Sequence, residues 1–301
     1  FRRTSHKCFE RLEELQTFAD IHTIKADLSD HGSITSAIRQ SEPDEIYNLA
    51  AQSFVGASFQ QPILTADITG LGVLRVLEAV KENAPDAKFY QASSSEMYGD
   101  YPGEKNDDSP FIPRSPYGAA KVFGHHITNH YREAYNIFAC CGILFNHESP
   151  LRGLEFVTRK ITSTLARIKY KKTNVLKLGN INARRDWGFA GDYVEAMWLM
   201  LQQKNPNNYI ISTGESHSVK EVLTLATEFS DLGDWHDFVQ IDESAMRPTD
   251  IEDLTGNSIK AQKQLGWKPK TSFKNLVKMM VDHDIEFEKL HVDPFEFNHK
   301  T

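Results

Sequence analysis

Short apolar runs alternate with longer amphipathic segments along this chain, and polar or turn-forming residues separate them. Apolar runs of this length are typical of buried strands, whereas the longer segments carry apolar residues at helical spacing. The predicted strands cover residues 21–26, 45–49, 88–93, 138–145 and 209–212. The predicted helices cover residues 33–40, 63–83, 115–135, 156–170, 192–201, 218–229, 257–264 and 272–288. Strands that alternate with crossover helices predict a parallel sheet with helices on both faces.

The segment that begins at Ser115 carries the first candidate chemistry. Ser115 followed by Pro116 predicts an N-cap and a first helical position. Tyr117 and Lys121 then lie one turn apart on the same helix face. A phenol titrates near pH ~10, and an ammonium beside it favours the phenolate and lowers its pKa. The pair can therefore exchange a proton with a sugar hydroxyl, although a tyrosine and a lysine at this spacing are also common on solvated helices.

A predicted strand upstream ends in polar side chains. Residues 88–93 form a mainly apolar run, and Ser94 and Glu96 follow it closely. In a parallel sheet, functional groups gather at the carboxyl ends of the strands, where the ligand crevice opens. We therefore expect Ser94 and Glu96 to face the Tyr117 and Lys121 pair. A hydroxyl, a carboxylate, a phenol and an ammonium placed together form a proton-transfer site.

Seven motifs carry a resemblance to a known family. They lie at residues 48–53, 89–96, 114–121, 142–150, 156–160, 185–188 and 192–198. On these residues the chain resembles the extended short-chain dehydrogenase/reductase family and, within it, the GDP-mannose 4,6-dehydratases. The resemblance extends from Arg2 to about Ile285. The Tyr-x-x-x-Lys pair marks only the large family, whereas Leu-Phe-Asn-His-Glu-Ser-Pro at 144–150 together with Arg-Asp-Trp-Gly at 185–188 is far more specific.

The resemblance implies a fold and a division into domains. The fold is α/β, a Rossmann-like doubly wound parallel sheet with a smaller, mostly helical lobe. We expect residues 1–146 and 184–213 to form the NADP-binding domain. Residues 147–183 and 214–301 are expected to form the lobe that binds a GDP-sugar. Because no repeat or low-complexity linker separates them, the two parts are expected to share one interface and a cleft.

The resemblance also implies functions for individual residues. The expected catalytic residues are Ser94, Glu96, Tyr117 and Lys121. The expected cofactor-binding residues are Arg2, Arg3, Thr4, Ser5, Asp27, Leu28, Leu49, Ala50, Ala51, Gln52, Ser53, Tyr117, Lys121, His147 and Arg152. The expected substrate-binding residues are Ser95, Asn146, Lys160, Arg185 and Arg247.

Local sequence allows a second interpretation of several of these positions. Asp27 can contact an adenine edge or cap the helix that follows it. Small residues at 50–53 let a ligand approach the backbone, and they also pack helices onto sheets. Arg185 beside Trp187 suits a diphosphate held bidentately. Lys160 lies on a basic helix whose cations can equally be solvated, and residues 148–150 can be no more than a turn.

The first residues depart from the expected pattern. A dinucleotide-binding domain of this kind opens with a strand, a glycine-rich turn and a helix, because the turn places backbone N–H groups on the pyrophosphate. Nothing of that kind precedes Phe1. We expect that the natural chain begins earlier, since loss of this strand would expose apolar edges on both neighbours, and loss of cofactor binding is the alternative. Arg2 and Arg3 resemble residues that meet the 2′-phosphate of NADP in a loop that reaches a neighbouring subunit, or they are solvated near a chain end.

The implied reaction is an internal oxidation and reduction with loss of water. Tyr117 takes the proton of the C4 hydroxyl as hydride leaves C4, Glu96 abstracts the C5 proton, and water leaves from C6. GDP-mannose thereby becomes GDP-4-keto-6-deoxy-mannose, with NADP as cofactor, as a step of deoxyhexose biosynthesis. Ser94 stands where the family usually has threonine, so the hydroxyl is kept and a rotamer-restricting methyl group is lost. The alternatives are another nucleotide-sugar epimerase or reductase, or a cofactor-free scaffold subunit.

Composition and charge narrow the partners. The net charge of −7 argues against nucleic acid or a membrane surface as the partner of the whole molecule. No apolar run reaches membrane-spanning length, and we expect no signal peptide. The adjacent Cys140 and Cys141 on a predicted buried strand, with Cys8, form no disulfide framework and favour a cytoplasmic protein. We expect a homodimer or a homotetramer.

Three histidines on the helix that begins at Ser115 raise the question of a metal site. His125, His126 and His130 have no convergent carboxylate or cysteine in the sequence pattern. Histidines on helices are more often packed or solvated than metal-bound. No metal is therefore expected.

Overall fold

A computed structural model describes residues 18–290. The strands are β1 Glu45–Asn48, β2 Lys88–Ser94, β3 Ala139–Leu144, β4 Asn146–Glu148, β5 Leu176–Leu178, β6 Arg184–Arg185, β7 Trp187–Phe189, β8 Tyr209–Ile211, β9 His217–Ser218, β10 Val239–Ile241 and β11 Asp253–Leu254. The α-helices are α1 His31–Ser41, α2 Val55–Gln60, α3 Pro62–Thr65, α4 Gly72–Asn83, α5 Pro116–Tyr135, α6 Val157–Lys169, α7 Ala190–Leu201, α8 Val219–Ser230, α9 Ile259–Leu265 and α10 Phe273–Leu290. A π-helical segment, Ala66–Leu71, joins α3 to α4, and short 3₁₀ turns include Ser95–Met97 after β2.

The central sheet of the described residues is parallel, with strand order β1-β2-β3-β8. Phe89 on β2 pairs with Ile46 on one side and with Ala139 on the other. β3 is buried along its whole length and β2 along nearly all of it, as expected for strands that helices cover on both faces. The predicted α/β fold is confirmed, and so is the return of the strand at 209–211 to the main sheet.

Helices pack on both faces of this sheet. On one face α1, α4 and α5 enclose a core that contains Leu77, Phe89 and Tyr131. On the other face α7 and α9 pack against Tyr90, and Trp267 donates its indole N–H to the carbonyl oxygen of Asp192 at 2.7 Å. The helix α9, which we expected in the smaller lobe, thus packs partly on the sheet, and the division into domains stays a prediction.

A second core lies beside the sheet and is mostly helical. Helices α6, α8 and α10 pack together there with β5 and β7 through side chains that include Ile161, Leu223 and Met280. Buried Asp284 on α10 joins the helices, because it accepts hydrogen bonds from Thr162 Oγ1 at 2.6 Å and from Arg159 Nε at 2.9 Å. Between residues 18 and 290, none of the helices combines the length and the apolar character that a membrane crossing requires.

Two local predictions differ from the structure. The segment 21–26 is not a strand: it pairs with no strand of the described residues, and four of its six residues are exposed. A strand needs a neighbour for its backbone hydrogen bonds, and apolar content alone does not supply one. The single helix predicted over 63–83 is divided in the structure, because α3 ends at Thr65, a π-helical segment covers Ala66–Leu71 and α4 begins at Gly72.

Candidate active site

The carboxyl end of β2 carries the first site residues. The strand ends at Ser94, and a 3₁₀ turn over Ser95–Met97 follows. Ser94 Oγ accepts a hydrogen bond from the backbone N–H of Glu96 at 3.3 Å, so the serine caps the turn that carries the carboxylate. The Glu96 side chain is only 13% exposed. A hydroxyl and a carboxylate are thus held together where the central strand of the sheet ends.

Helix α5 brings the phenol and the ammonium to that turn. Its N-cap is Ser115, whose Oγ accepts a hydrogen bond from Gly118 N–H at 3.0 Å, as the sequence predicted. A Cβ on Gly118 would lie 2.8 Å from the carbonyl oxygen of Glu96, so the helix approaches the turn more closely than a larger residue permits. Tyr117 and Lys121 are 8% and 4% exposed, and both face inward from the first turns of the helix.

Burial dominates the protonation of this pair. It raises the pKa of Tyr117 to about 12, against the effects of a hydrogen bond with Ser94 and of the positive charge of Arg152. It lowers the pKa of Lys121 to about 8. Lys121 Nζ donates a hydrogen bond to the Ala92 carbonyl oxygen at 2.7 Å and lies 5.7 Å from the centre of the Tyr117 ring. The expected lowering of the phenol pKa by Lys121 is not found: the cation that lowers it is Arg152, and the Lys121 ammonium donates to a carbonyl oxygen.

A cleft with a volume of about 530 Å³ connects these residues to the rest of the predicted site. Its walls come from the carboxyl ends of the central strands, from α5 and α6, and from loops around residues 180 and 247. The predicted residues that line it are Leu49, Ala51, Ser53, Ser94, Ser95, Glu96, Tyr117, Lys121, Asn146, His147, Arg152, Lys160, Arg185 and Arg247. Tyr117 and Glu96 thus open onto the same cavity from two different structural elements.

Other predicted cofactor-binding residues do not line this cleft: Asp27, Leu28, Ala50 and Gln52. The Leu28 side chain is 5% exposed and packs in the core with α1 and α4. Gln52 donates its backbone N–H to Thr69 Oγ1 at 3.0 Å. Arg2, Arg3, Thr4 and Ser5 lie outside the described residues. The cofactor contacts of all these residues stay predictions.

The identity of the N-cap residue of α1 decides between the two interpretations of Asp27. Asp30 is the N-cap residue, because its carboxylate accepts hydrogen bonds from Gly32 and Ser33 N–H groups. Asp27 Oδ1 instead accepts hydrogen bonds from the backbone N–H and the hydroxyl of Ser29, at 2.8 and 2.6 Å. The idea that Asp27 caps the helix is wrong, and its contact with an adenine edge stays a prediction.

Arginines and a carboxylate form the other end of the cleft. Arg185 Nη2 donates a hydrogen bond to Asp250 Oδ1 at 3.0 Å, and its Nη1 donates to the carbonyl oxygens of Arg184 and Ile251. Three of its five N–H donors are thus used within the chain. Arg247 Nη1 lies 3.6 Å from Asp250 Oδ1 and 3.8 Å from Glu96 Oε1, and its side chain is 32% exposed.

The strand β4 places Asn146 and His147 on the cleft wall. It pairs in parallel with β7, so His147 lies opposite Gly188. His147 Nδ1 donates to the Phe145 carbonyl oxygen at 2.9 Å, which leaves Nε2 as the acceptor, and the ring stacks on Tyr193 with centroids 5.1 Å apart. Burial lowers the pKa of His147 to about 4, so the imidazole is neutral at physiological pH.

Several residues of the cleft were missed in the sequence. Glu148, assigned to a turn, is the last residue of β4 and is 2% exposed. Phe54 and Phe156 meet edge to face across the cleft at 5.9 Å, and Arg152 stacks on Phe156. Asp250 holds Arg185. Glu148 and Phe156 lie within motifs that carried the family resemblance, so their sequence context was the available signal; Phe54 and Asp250 stand outside the motifs.

The remaining chemically active side chains near the sheet pack away from solvent. His125 Nδ1 lies 2.9 Å from Ser93 Oγ, and burial lowers the pKa of this histidine to about 3. Burial raises the pKa of Cys140 to about 11 and of Cys141 to about 12, as expected for small buried thiols. Asp186, from the predicted phosphate motif, accepts hydrogen bonds from the 213, 214 and 256 backbone N–H groups. Across residues 18–290 no three or more His, Cys, Asp or Glu side chains are grouped to hold a metal ion.

Solved structures with a similar fold include a protein complexed with NADPH and a UDP-glucose 4-epimerase. RMD from Pseudomonas aeruginosa, complexed with NADPH, aligns with a TM-score of 0.81 over 91% of this chain and 95% of that chain, at 22% identity. UDP-glucose 4-epimerase from Thermus thermophilus, in complex with NAD, aligns with a TM-score of 0.79 over 88% of this chain and 85% of that chain, at 26% identity.

Sequence similarity is much closer to one group. The chain is 51% identical to GDP-mannose 4,6 dehydratase 1 of Arabidopsis thaliana over 300 residues, which covers 96% of this chain and 82% of that protein. It is 46% identical to GDP-mannose 4,6 dehydratase of Homo sapiens, over 86% of this chain and 75% of that protein. The family model described as GDP-mannose 4,6 dehydratase matches residues 1–280. The chain therefore belongs to the GDP-mannose 4,6-dehydratase family.

Proposed function

We propose that this chain is a GDP-mannose 4,6-dehydratase, a hydro-lyase that converts GDP-mannose to GDP-4-keto-6-deoxy-mannose with NADP as its cofactor. The observation that carries the proposal is that Glu96 and Tyr117 line one cleft, from a strand end and from a helix. Oxidation at C4 needs a group that takes the hydroxyl proton, and elimination across C5 and C6 needs a second group that takes the C5 proton. A phenol and a carboxylate in one cavity supply both.

The cleft residues fit the nicotinamide end of such a cofactor. Tyr117 and Lys121 offer hydrogen-bond donors at the base of the cleft, and the neutral His147 ring lies on the cleft wall. Ala51, which follows β1, has a small side chain that leaves room for a ligand. Arg152 also lines the cleft, and its side chain is 26% exposed. The chemistry that the cofactor supplies when bound is the acceptance of a hydride from C4 and its return to C6. A preference for NADP over NAD rests on Arg2 and Arg3, which lie outside the described residues.

Tyr117 and Ser94 act at the C4 hydroxyl. The phenolate form of Tyr117 accepts the hydroxyl proton, and the nearby Ser94 hydroxyl donates a hydrogen bond to the C4 oxygen. Because burial holds the pKa of Tyr117 at about 12, the phenol gives its proton up only when neighbouring positive charge favours the phenolate. The positive charge that acts on Tyr117 in this direction is that of Arg152.

Glu96 acts one carbon further along the sugar. A ketone at C4 acidifies the C5 proton, which the Glu96 carboxylate removes. The C6 hydroxyl then leaves as water after it receives that proton from Glu96, so the carboxylate is restored and a C5–C6 double bond is left. When this bond is reduced at C6, C5 takes up a proton, which balances the one that Tyr117 took from the C4 hydroxyl. Glu96 is held in place by the Ser94 cap on its backbone N–H, so the base and the Ser94 hydroxyl keep a fixed spacing.

The basic end of the cleft is suited to the GDP diphosphate. Lys160, Arg185 and Arg247 line this region. Among residues 18–290, Arg247 makes only the two long ion pairs described above, so it retains most of its donors. Arginine forks bind phosphate oxygens bidentately. In this proposal the sheet-bearing residues 1–146 and 184–213 bind the cofactor, and residues 147–183 and 214–301 bind the GDP-sugar. The residue assignments in both parts are proposals.

The test of the function is the mass of the product. Purified protein is incubated with GDP-mannose and NADP, and the sugar nucleotide is analysed by mass spectrometry. Loss of one water without net formation of NADPH is expected, and Glu96→Gln should abolish that loss while the protein still binds the cofactor. An unchanged mass, or NADPH formed in proportion to substrate, would contradict the proposal.

Two other functions predict different results, one in the product assay and one in a measurement of bound nucleotide. An epimerase or a reductase uses the Tyr117 and Lys121 pair but eliminates no water. The fold similarity to UDP-glucose 4-epimerase favours this alternative, whereas the position of Glu96 in the cleft argues against it. A cofactor-free scaffold subunit would release no nicotinamide nucleotide when the purified protein is denatured.

Oligomeric state is part of the proposal and has its own measurement. We propose a homodimer or a homotetramer, which static light scattering on the purified protein distinguishes from a monomer. Exposed apolar side chains such as Ile63, at 85% exposure, and Phe123, at 41%, are compatible with a contact between copies. The cytoplasmic location expected from the sequence stays a prediction.

A further inference from the structure

A buried carboxylate is part of the cleft wall, and no step of the proposed reaction uses it. Glu148 ends β4 with a side chain that is 2% exposed. Burial raises the pKa of its carboxyl group, and the charge of Arg152 and a hydrogen bond from Thr158 oppose that rise. A carboxylate is costly to remove from water unless a cation or several donors compensate. The groups that contact the Glu148 carboxylate therefore indicate its role.

Two side chains meet the same carboxylate oxygen. Thr158 Oγ1, in the first turn of α6, donates a hydrogen bond to Glu148 Oε2 at 2.7 Å. Arg152 Nε lies 3.2 Å from that oxygen, an ion pair that lacks hydrogen-bond alignment. Glu148 thus connects three elements: β4, the loop that carries Arg152, and the start of α6.

The remaining contact of Arg152 fixes the plane of its guanidinium group. The group lies over the Phe156 ring, with Cζ 3.5 Å from the ring centre. Arg152 Nε is buried, whereas the side chain as a whole is 26% exposed and lines the cleft. Within residues 18–290 its terminal nitrogens donate no hydrogen bond, so this edge of the guanidinium group remains available to a ligand oxygen.

We propose that Glu148 is a positioning residue for cofactor binding. It holds Arg152 by its inner edge, on the Phe156 ring, so that the terminal nitrogens present a fork to an anionic oxygen of the dinucleotide. The inference rests on the proposed function, in which Arg152 contacts the cofactor. Without the Glu148 carboxylate, Arg152 samples several rotamers, and binding must restrict them at the cost of side-chain entropy.

The test measures cofactor affinity directly, apart from turnover. Glu148→Gln keeps the size of the side chain and an acceptor for Thr158 but removes the charge. The dissociation constant of NADPH, from its fluorescence in a titration, is expected to rise about tenfold, the effect typical of a lost charge-assisted contact. The dissociation constant of GDP should stay within twofold. Glu228→Gln, an exposed carboxylate on α8 that does not line the cleft, is the control for the chemical change and should leave both constants unchanged.

A double-mutant cycle separates positioning from simple stability. Arg152→Met should weaken NADPH binding at least as much as Glu148→Gln, and the double variant should be no weaker than Arg152→Met alone. Additive losses would overturn the inference, as would NADPH affinity that Glu148→Gln leaves unchanged. Should Glu148→Gln not fold, Thr158→Val removes the other contact of the carboxylate and is expected to weaken NADPH binding two- to fivefold; unchanged affinity then also contradicts the inference.

The same variants distinguish this inference from the proposed function. If the wild-type protein binds NADPH and Glu148→Gln weakens that binding, but GDP-mannose is not dehydrated, the reaction is wrong and the positioning stands. If dehydration occurs and Arg152→Met leaves NADPH affinity unchanged, the function stands and the inference is wrong.

Discussion

The two ends of the cleft are built in opposite ways. At one end Tyr117 and Lys121 are less than a tenth exposed, and burial sets their pKa values. At the other end Asp250 and Arg247 are a quarter to a third exposed, and ion pairs hold them in place. The comparison teaches that groups which must change protonation lie where water is excluded and small interactions shift a pKa strongly. Arg247, which keeps a permanent charge, remains close to solvent, whereas Arg185 at the same end is 7% exposed and gives its donors to Asp250 and to carbonyl oxygens.

The largest effect is expected at the buried end. Tyr117→Phe removes the proton acceptor and little else, so kcat for dehydration should fall by about 10³-fold, within the range for a general acid or base. The KM for GDP-mannose and the melting temperature should change little, because the ring and its packing are kept. Steady-state kinetics and thermal unfolding check this. A rate within tenfold of wild type would assign the proton transfer to another group.

The Ser94 hydroxyl should contribute the next largest effect. Ser94→Ala removes a donor positioned toward the C4 oxygen and should lower kcat by about 10²-fold, as for other positioned donors. Ser94→Thr keeps the hydroxyl and should change kcat only modestly, because the added methyl group merely restricts the rotamer. The two variants are compared in one steady-state assay. Near-native rates for both would remove Ser94 from the mechanism.

Substitution at the exposed end of the cleft should weaken the binding of GDP-mannose without changing the rate of the chemical step. Arg247→Met removes a cation whose ion pairs with the described part of the chain are long, at 3.6 and 3.8 Å, so the KM for GDP-mannose should rise about tenfold with kcat within threefold. Arg114→Met is the matched control, because Arg114 pairs with Asp100 on the surface and does not line the cleft. A kcat that falls as far as KM rises would place Arg247 in the chemical step.

The last prediction concerns stability and its dependence on pH, and its effect on any one pH step is no larger than about a tenfold change. Because burial lowers the pKa of Lys121 to about 8 from its ordinary 10.5, the unfolded chain binds more protons than the folded protein between these values. Wild type should therefore gain stability relative to Lys121→Met as the pH rises from 8 toward 10.5, by up to about 1.4 kcal/mol per pH unit. Urea unfolding at several pH values measures the difference. A difference that stays constant above pH 8 would show that the ammonium is not desolvated.

The candidate site was predictable where local pattern carries the information. Ser115 as an N-cap and the helical spacing of Tyr117 and Lys121 follow from short-range rules, and the structure reproduces both. Ser94 and Glu96 at the end of a buried strand followed from the alternation of strands and helices. Long apolar runs and capping residues act over a few neighbours, so they can be identified from sequence.

Contacts between distant segments were not predictable in the same way. Lys121 binds the Ala92 carbonyl group, 29 positions away, and this contact replaces the expected direct influence on Tyr117. Arg185 gives three of its donors to backbone and Asp250, so it is less available to a diphosphate than its motif indicated. Such partners depend on which loops meet, and spacing along the chain does not determine that.

The sequence by itself determined the α/β alternation, the place of Tyr117 and Lys121 on one helix face and the family, because these depend on short-range periodicity and on specific motifs. Only the tertiary structure decided that Glu96 and Tyr117 share a cavity and that burial sets the pKa values of Tyr117 and Lys121. It also decided that Glu148 is buried beside Arg152. The physical reason is that desolvation and charge pairing depend on distances between residues far apart in sequence, and packing alone fixes those distances.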